Sequence, residues 1–161
     1  EKFRTQGTGV GHGAQIVRLA ESYAVAGDIT AGLAALDEAL AWVDQTGVRI
    51  LEAEIHRLRG ELLHRGQPCI DGVACPAEAS FRHAIAIARR QEARWWELRA
   101  TCSLCRLIQA RSDPQDARRA KAHQMLATIY GWFGEGFDTQ DLREARQLLQ
   151  ELAGAGSGPS A

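Results

Sequence analysis

The sequence predicts an all-α fold of stacked helix pairs, and three observations carry that prediction. One amphipathic helix is written three times. In Pro76 to Gln91 the apolar positions Ala77, Phe81, Ala84, Ile85 and Ala88 fall at helical spacing. The same pattern stands 45 residues earlier, as Gly32, Leu36, Ala39, Leu40 and Val43. It stands again 45 residues later, as Ala122, Leu126, Ile129, Tyr130 and Phe133. Self-similarity at a fixed period is a signature of a solenoid. The second observation is composition: Ala, Leu, Arg and Glu dominate, and all four are good helix formers. The third is the scarcity of alternating Val-, Ile- and Thr-rich runs, which argues against a sheet.

Taken in order, residues 1–13, EKFRTQGTGVGHG, lack periodicity and read as a flexible remnant of a preceding repeat plus a loop. The helical region spans 14–153. Its first helix runs from about Ala14 to Ala26, with Ile16, Leu19, Ala20 and Tyr23 on one face. Gly27 ends it and Asp28 follows in the turn. A second helix runs from about Ile29 to Gln45, and Gly47 closes that repeat. The third, about Ile50 to Arg65, uses Ile55, Leu58, Leu62 and Leu63. Gly60 inside it costs about 1 kcal/mol relative to alanine, so a close neighbouring helix is expected there.

The loop Gly66 to Cys75 precedes the fourth helix, which opens on Pro76, where a missing N–H costs nothing. The fifth, about Ala93 to Arg111, carries Trp96, Leu98, Leu104, Leu107 and Ile108. Trp95 and Trp96 diverge by about 100° on a helix, so one is core and the other exposed or at an interface. Ser112-Asp113-Pro114 breaks the chain, with Ser112 or Asp113 able to cap the sixth helix, about Gln115 to Tyr130. An aromatic bend, Tyr130 to Thr139, leads into a last helix, about Gln140 to Leu152, capped by Asp138 or Thr139. Trp132, Phe133 and Phe137 are expected to wedge that helix onto the last repeat. Its outer face is Gln, Arg and Glu, which suits a terminal capping helix. Residues 154–161, GAGSGPSA, read as a flexible tail.

The 161 residues carry 19 basic and 20 acidic side chains, so no global nucleic-acid or membrane footprint exists. The distribution is uneven: residues 1–81 are net −4, residues 82–121 net +6 and residues 122–161 net −3. A basic middle between acidic ends can greet an acidic partner; solvated arginine faces on helices give the same pattern. No run approaches the ~20 apolar residues of a membrane span, and no apolar signal segment opens the chain. The start on Glu1 rather than Met points to a piece of a longer protein. Four cysteines without secretory context suggest reduced thiols and a cytoplasmic location.

The helix pairs resemble tetratricopeptide repeats. Leu19, Ala20 and Tyr23, followed by Gly32, Leu36 and Ala39, match the family's small-and-large pattern, as do Ala77, Phe81 and Ala84. Leu104, Cys105, Ile108, Ala122 and Leu126 follow less closely, with Ile129 where a small residue belongs. The second and third repeats carry roughly five extra residues between their helices, beyond the family's period of about 34. Whole phrases, among them GLAALDEALAWVDQTG and YGWFGEGFDTQDLREARQLLQEL, look like the C-terminal end of large bacterial regulators. In those proteins a nucleoside-triphosphatase core, often with an adenylate or guanylate cyclase or a DNA-binding domain, precedes the repeats. The resemblance implies a right-handed superhelix of three helix pairs plus a capping helix. It also implies a non-catalytic interaction or sensor arm of such a regulator. The expected partner is a protein or peptide, or upstream domains of the same polypeptide, with no membrane and no direct nucleic-acid contact. A ligand sensor holding a small molecule or peptide in the concave groove is the first alternative. Self-association through the N-terminal face, giving a homo-oligomer, is the second.

Candidate chemistry is sparse. The glycines from Gly7 to Gly13 precede a helix, whose N-terminus attracts phosphate. A phosphate loop also needs a preceding strand and a following Gly-Lys-Ser/Thr, and neither is present. Cys69, Cys75, Cys102 and Cys105 are numerous enough for a tetrahedral zinc site but lack knuckle spacing, so small buried thiols are the better expectation. The five histidines have no ligand spacing. No catalytic residue, cofactor or enzyme activity is therefore expected. The remaining site is the groove lined by the first helix of each pair. Counting along those helices places Glu21, His56 or Arg57, Arg99 and Arg106 there, and arginines would suit a carboxylate-bearing ligand.

Overall fold

The computed structural model describes residues 9–67, 69, 75–111 and 117–154. All of its regular structure is helical: α1 Gly9–Ala26, α2 Ile29–Thr46, α3 Glu52–Gly66, α4 Pro76–Arg90, α5 Arg94–Arg111, α6 Ala117–Tyr130 and α7 Gln140–Gly154. No helix among the described residues is long and apolar enough to cross a membrane.

Each helix packs on the next along the chain, and the odd helices also pack on one another, α1 on α3, α3 on α5 and α5 on α7. Among the described residues the even helices touch only the helices that flank them. Two layers result, and the odd layer is continuous from α1 to α7. Short connections make this arrangement. Gly27 adopts φ 80° between α1 and α2, and the Asp28 carboxylate accepts the Ala31 amide at 3.0 Å to cap α2. Gly47 ends α2 in the left-handed conformation, its N–H bonded to the Val43 carbonyl.

The helix written three times is α2, α4 and α6. Ala77, Phe81, Ala84, Ile85 and Ala88 are all buried, as are Leu36, Ala39, Val43, Ala122, Leu126 and Ile129. Gly60 of α3 is the small residue on which Phe81 of α4 sits. Helix α5 has neighbours in α3, α4, α6 and α7, and it is buried nearly all round. That explains its lack of a clean polar face. Cys105 occupies a small core position there, its thiol donating to the Ala122 carbonyl at 3.4 Å.

Several expectations change. Helix α1 begins at Gly9, so Gly9 to Gly13 are helical rather than linker; Gly7 and Thr8 lie outside the described residues. The reason is tertiary: a side chain at Gly13 would strike the Trp42 ring at 2.7 Å, so the glycine lets α1 and α2 close together. Leu19 is 46% exposed, because α2 and α3 cover the Ile16, Val17 and Ala20 face instead. Trp132 is 61% exposed and does not wedge α7; Tyr130 and Phe133 pack on the core, with Trp95 edge-on to Phe133 at 5.8 Å. Trp96 is the inward one of its pair, against Ala53, Ile87 and Ala88. At the start of α7 the Thr139 carbonyl accepts the Arg143 amide, while its hydroxyl donates to the Gly136 carbonyl. Ser112 and Asp113 lie outside the described residues. Finally, Cys69 and Cys75 are joined as a disulfide rather than free thiols, with Cα atoms 5.3 Å apart.

Candidate functional site

The odd layer carries one continuous groove, a cavity of about 630 Å³ lined from α1, α3, α5 and the first residue of α7. Glu21, Arg57, Arg99 and Arg106 all line it. Four of the five residues expected there from sequence are thus brought together. His56 is not. It lies one position, about 100°, round α3 from Arg57. There it meets the His83 ring of α4 edge-on at 4.4 Å. Burial, then His83, then Arg59 push its pKa down to about 4, so His56 is a neutral ring in the α3–α4 contact near neutral pH.

Helical spacing builds the groove's charge pattern. Glu54, Arg57 and Glu61 stand three and four residues apart on α3, so they share a face. Arg57 donates Nε and Nη2 to the two oxygens of Glu54 at 2.8 and 2.7 Å, a forked pair. Its Nη1 reaches Glu61 at 3.4 Å. Glu54 is only 2% exposed and Arg57 9%, so this is a buried pair. Burial works against the Arg57 charge; the hydrogen bonds and charge of Glu54, with Glu61 and Glu21 behind, outweigh it and hold the guanidinium above its usual range.

The network crosses helices. Arg99 of α5 reaches Glu54 at 3.0 Å, and its guanidinium lies 5.6 Å from the Trp96 ring centre. It also points at Asp141 of α7, 3.9 Å away. Ser103 of α5 donates to Glu61 Oε1 at 2.7 Å. Arg106 pairs with Glu144 of α7, whose other oxygen accepts from Gln140 at 2.8 Å. Gln140's hydrogen bond, then Arg106, keep the Glu144 carboxyl below its usual range despite some burial. Arg65, at the end of α3, donates to the Ala24 carbonyl of α1 at 2.9 Å. The groove is therefore laced by ion pairs from α3 to α7, and its arginines are neither free receptors nor idle surface charges.

Sequence reasoning missed Glu54, Glu61, Ser103, Asp141 and Glu144. The Glu54–Arg57–Glu61 spacing was legible as an intrahelical set, but their pairing across helices was not.

The cysteines do not form a metal centre. Cys69 and Cys75 hold each other, and Cys102 and Cys105 are buried in α5. Burial pushes each of these two thiols up to about 12, so neither supplies a thiolate near neutral pH. Among the described residues no group of three or more His, Cys, Asp or Glu side chains could hold a metal. Comparison of the chain with family models, curated proteins and solved structures finds no match in any of the three.

Proposed function

We propose that this chain is a tetratricopeptide-like binding arm, three helix pairs in a superhelix closed by α7, and that it works by binding rather than by catalysis. The observation that carries the reading is the groove itself. The continuous odd-helix layer gathers Glu21, Arg57, Arg99 and Arg106 along one cavity, the face on which such repeat stacks present ligand sites. Its length across four helices suits an extended protein segment. Among the described residues no aromatic ring lines it, which favours a peptide over a flat small molecule.

The partner in this reading is a protein segment, or an upstream domain of the same polypeptide in a signalling ATPase, nucleotide cyclase or transcription regulator. Occupancy would be felt through the ion pairs that tie α3, α5 and α7, because a ligand that competes for Glu54 or Glu144 changes how those helices pack. Amide hydrogen exchange of the chain against its upstream domains, supplied in trans, tests this. Protection confined to α1, α3, α5 and the start of α7 is the expected result. Protection confined to α2, α4 and α6, or none with the chain folded by circular dichroism, would overturn it.

A further inference from the structure

The arginines of the groove are what suggest an acidic ligand, and their surroundings weaken that reason. Arg57 spends three donors on Glu54 and Glu61. Arg99 lies on Glu54, Arg106 on Glu144, and Arg65 on the Ala24 carbonyl. Each guanidinium lining the groove already sits on an acceptor from the protein.

Glu21 is the exception. It is half-buried on α1 and lines the same groove, yet neither of its oxygens makes a hydrogen bond or ion pair among the described residues. It adds to the attraction felt by Arg57, three of whose five N–H donors go to Glu54 and Glu61. Glu61 opposite, on α3, is partly open too: Arg57 and Ser103 both use Oε1, and Oε2 is left over. The apolar lining beside these two carboxylates comes from Ala20, Ala24, Leu58 and Leu62. A carboxylate pair beside an aliphatic floor is complementary to one kind of side chain, a long alkyl stem ending in a cation.

We propose that the groove recognises an extended segment through a lysine or arginine side chain, the charged head meeting Glu21 and Glu61 and the stem lying on Ala24 and Leu58. This rests on the groove being the binding face proposed above. It reverses the polarity that the arginines alone suggest: the ligand is basic, and the guanidiniums shape the groove's walls.

The test uses the whole chain, immobilised, and four pools of heptapeptides whose central position is fixed as Lys, Arg, Glu or Ala while the others vary. Retention is measured for the native chain and for Glu21→Gln. That variant removes a charge without removing any hydrogen bond, and circular dichroism checks its fold. The expected result is enrichment of the Lys and Arg pools over the Ala pool, reduced about fivefold by Glu21→Gln, the size of one partly exposed ion pair. Added salt weakens it as well. Retention of the Glu pool at or above the Lys pool would overturn the basic-ligand assignment while keeping the groove as a binding face. Retention of Lys and Arg pools that Glu21→Gln leaves unchanged would also overturn the assignment. Equal absence of all four pools would overturn both.

Discussion

The ring of Phe81 lies directly over the bare Cα of Gly60: a methyl group added at Gly60 would sit 2.5 Å from Cε1 and 2.6 Å from Cδ1 of that ring. Both residues are buried, and the contact joins α3 to α4. Glycine in a helix interior is unfavourable, so its presence here is explained by the ring it admits. Gly60→Ala should therefore destabilise the chain by about 1–3 kcal/mol despite its better helix propensity, because the ring must leave its place. Urea unfolding measures it. Combined with Phe81→Leu, the loss should be smaller than the sum of the single losses, since the two changes share one contact.

Phe81→Ala alone should cost about 3–5 kcal/mol, as expected for a fully buried aromatic leaving a cavity between α3, α4 and α5. A loss within about 0.5 kcal/mol in the same unfolding measurement would mean that Phe81 is not packed there.

Glu54 holds two guanidiniums, Arg57 and Arg99, while almost fully buried. Glu54→Leu takes the nearest acceptor from both cations, leaving Arg57 with Glu61 and Arg99 with Asp141 at longer range, and should cost about 3–5 kcal/mol. Glu54→Leu with Arg57→Met should recover a large part of that loss, because a buried pair replaced as a whole is often near neutral. If the double variant is as unstable as the single one, the pair is not the reason for the loss.

Stability should fall on mild acidification through His56. Its pKa in the folded chain, about 4, lies below histidine's ordinary 6.5, so the fold favours the neutral ring. The contribution is complete above about pH 6.5 and is lost as pH drops from there toward 4. Because the ring is partly solvated, about 1–2 kcal/mol is the expected size rather than the full shift. Thermal unfolding of the native chain and of His56→Gln across pH 4–7 should converge at the acidic end and diverge toward neutral pH.

Thiol titration separates the two pairs of cysteines. Cys102 and Cys105 are buried with raised pKa values, so a thiol reagent at pH 8 should label neither in the folded chain. Denaturant should release two thiols, and denaturant with reductant four, since Cys69 and Cys75 are bonded to each other. Four thiols without reductant would contradict that disulfide.

Periodicity, with glycine and proline breakers, was enough for the existence of the seven helices, though not for the start of α1, and for the inward faces of α2, α4 and α6. Ala77, Phe81 and Ala84 recur at a spacing that only a helix puts on one side, and burying that side is the main favourable term in folding. Gly27 and Gly47 ended their helices for a similarly local reason, the ease with which glycine adopts positive φ. The groove was legible in part: Glu21, Arg57, Arg99 and Arg106 lie where counting along the odd helices puts them. Local pattern did not reach what depends on a second helix. Gly13 became helical because Trp42 covers it, Leu19 stayed exposed because neither α2 nor α3 reaches it, and His56 turned to His83. Most of all, the sequence placed arginines in the groove but not their acceptors on α3 and α7. Spacing along a helix determines which face a side chain shares. Only packing determines which charge stands opposite it, and in this groove that left Glu21 the carboxylate without a partner among the described residues.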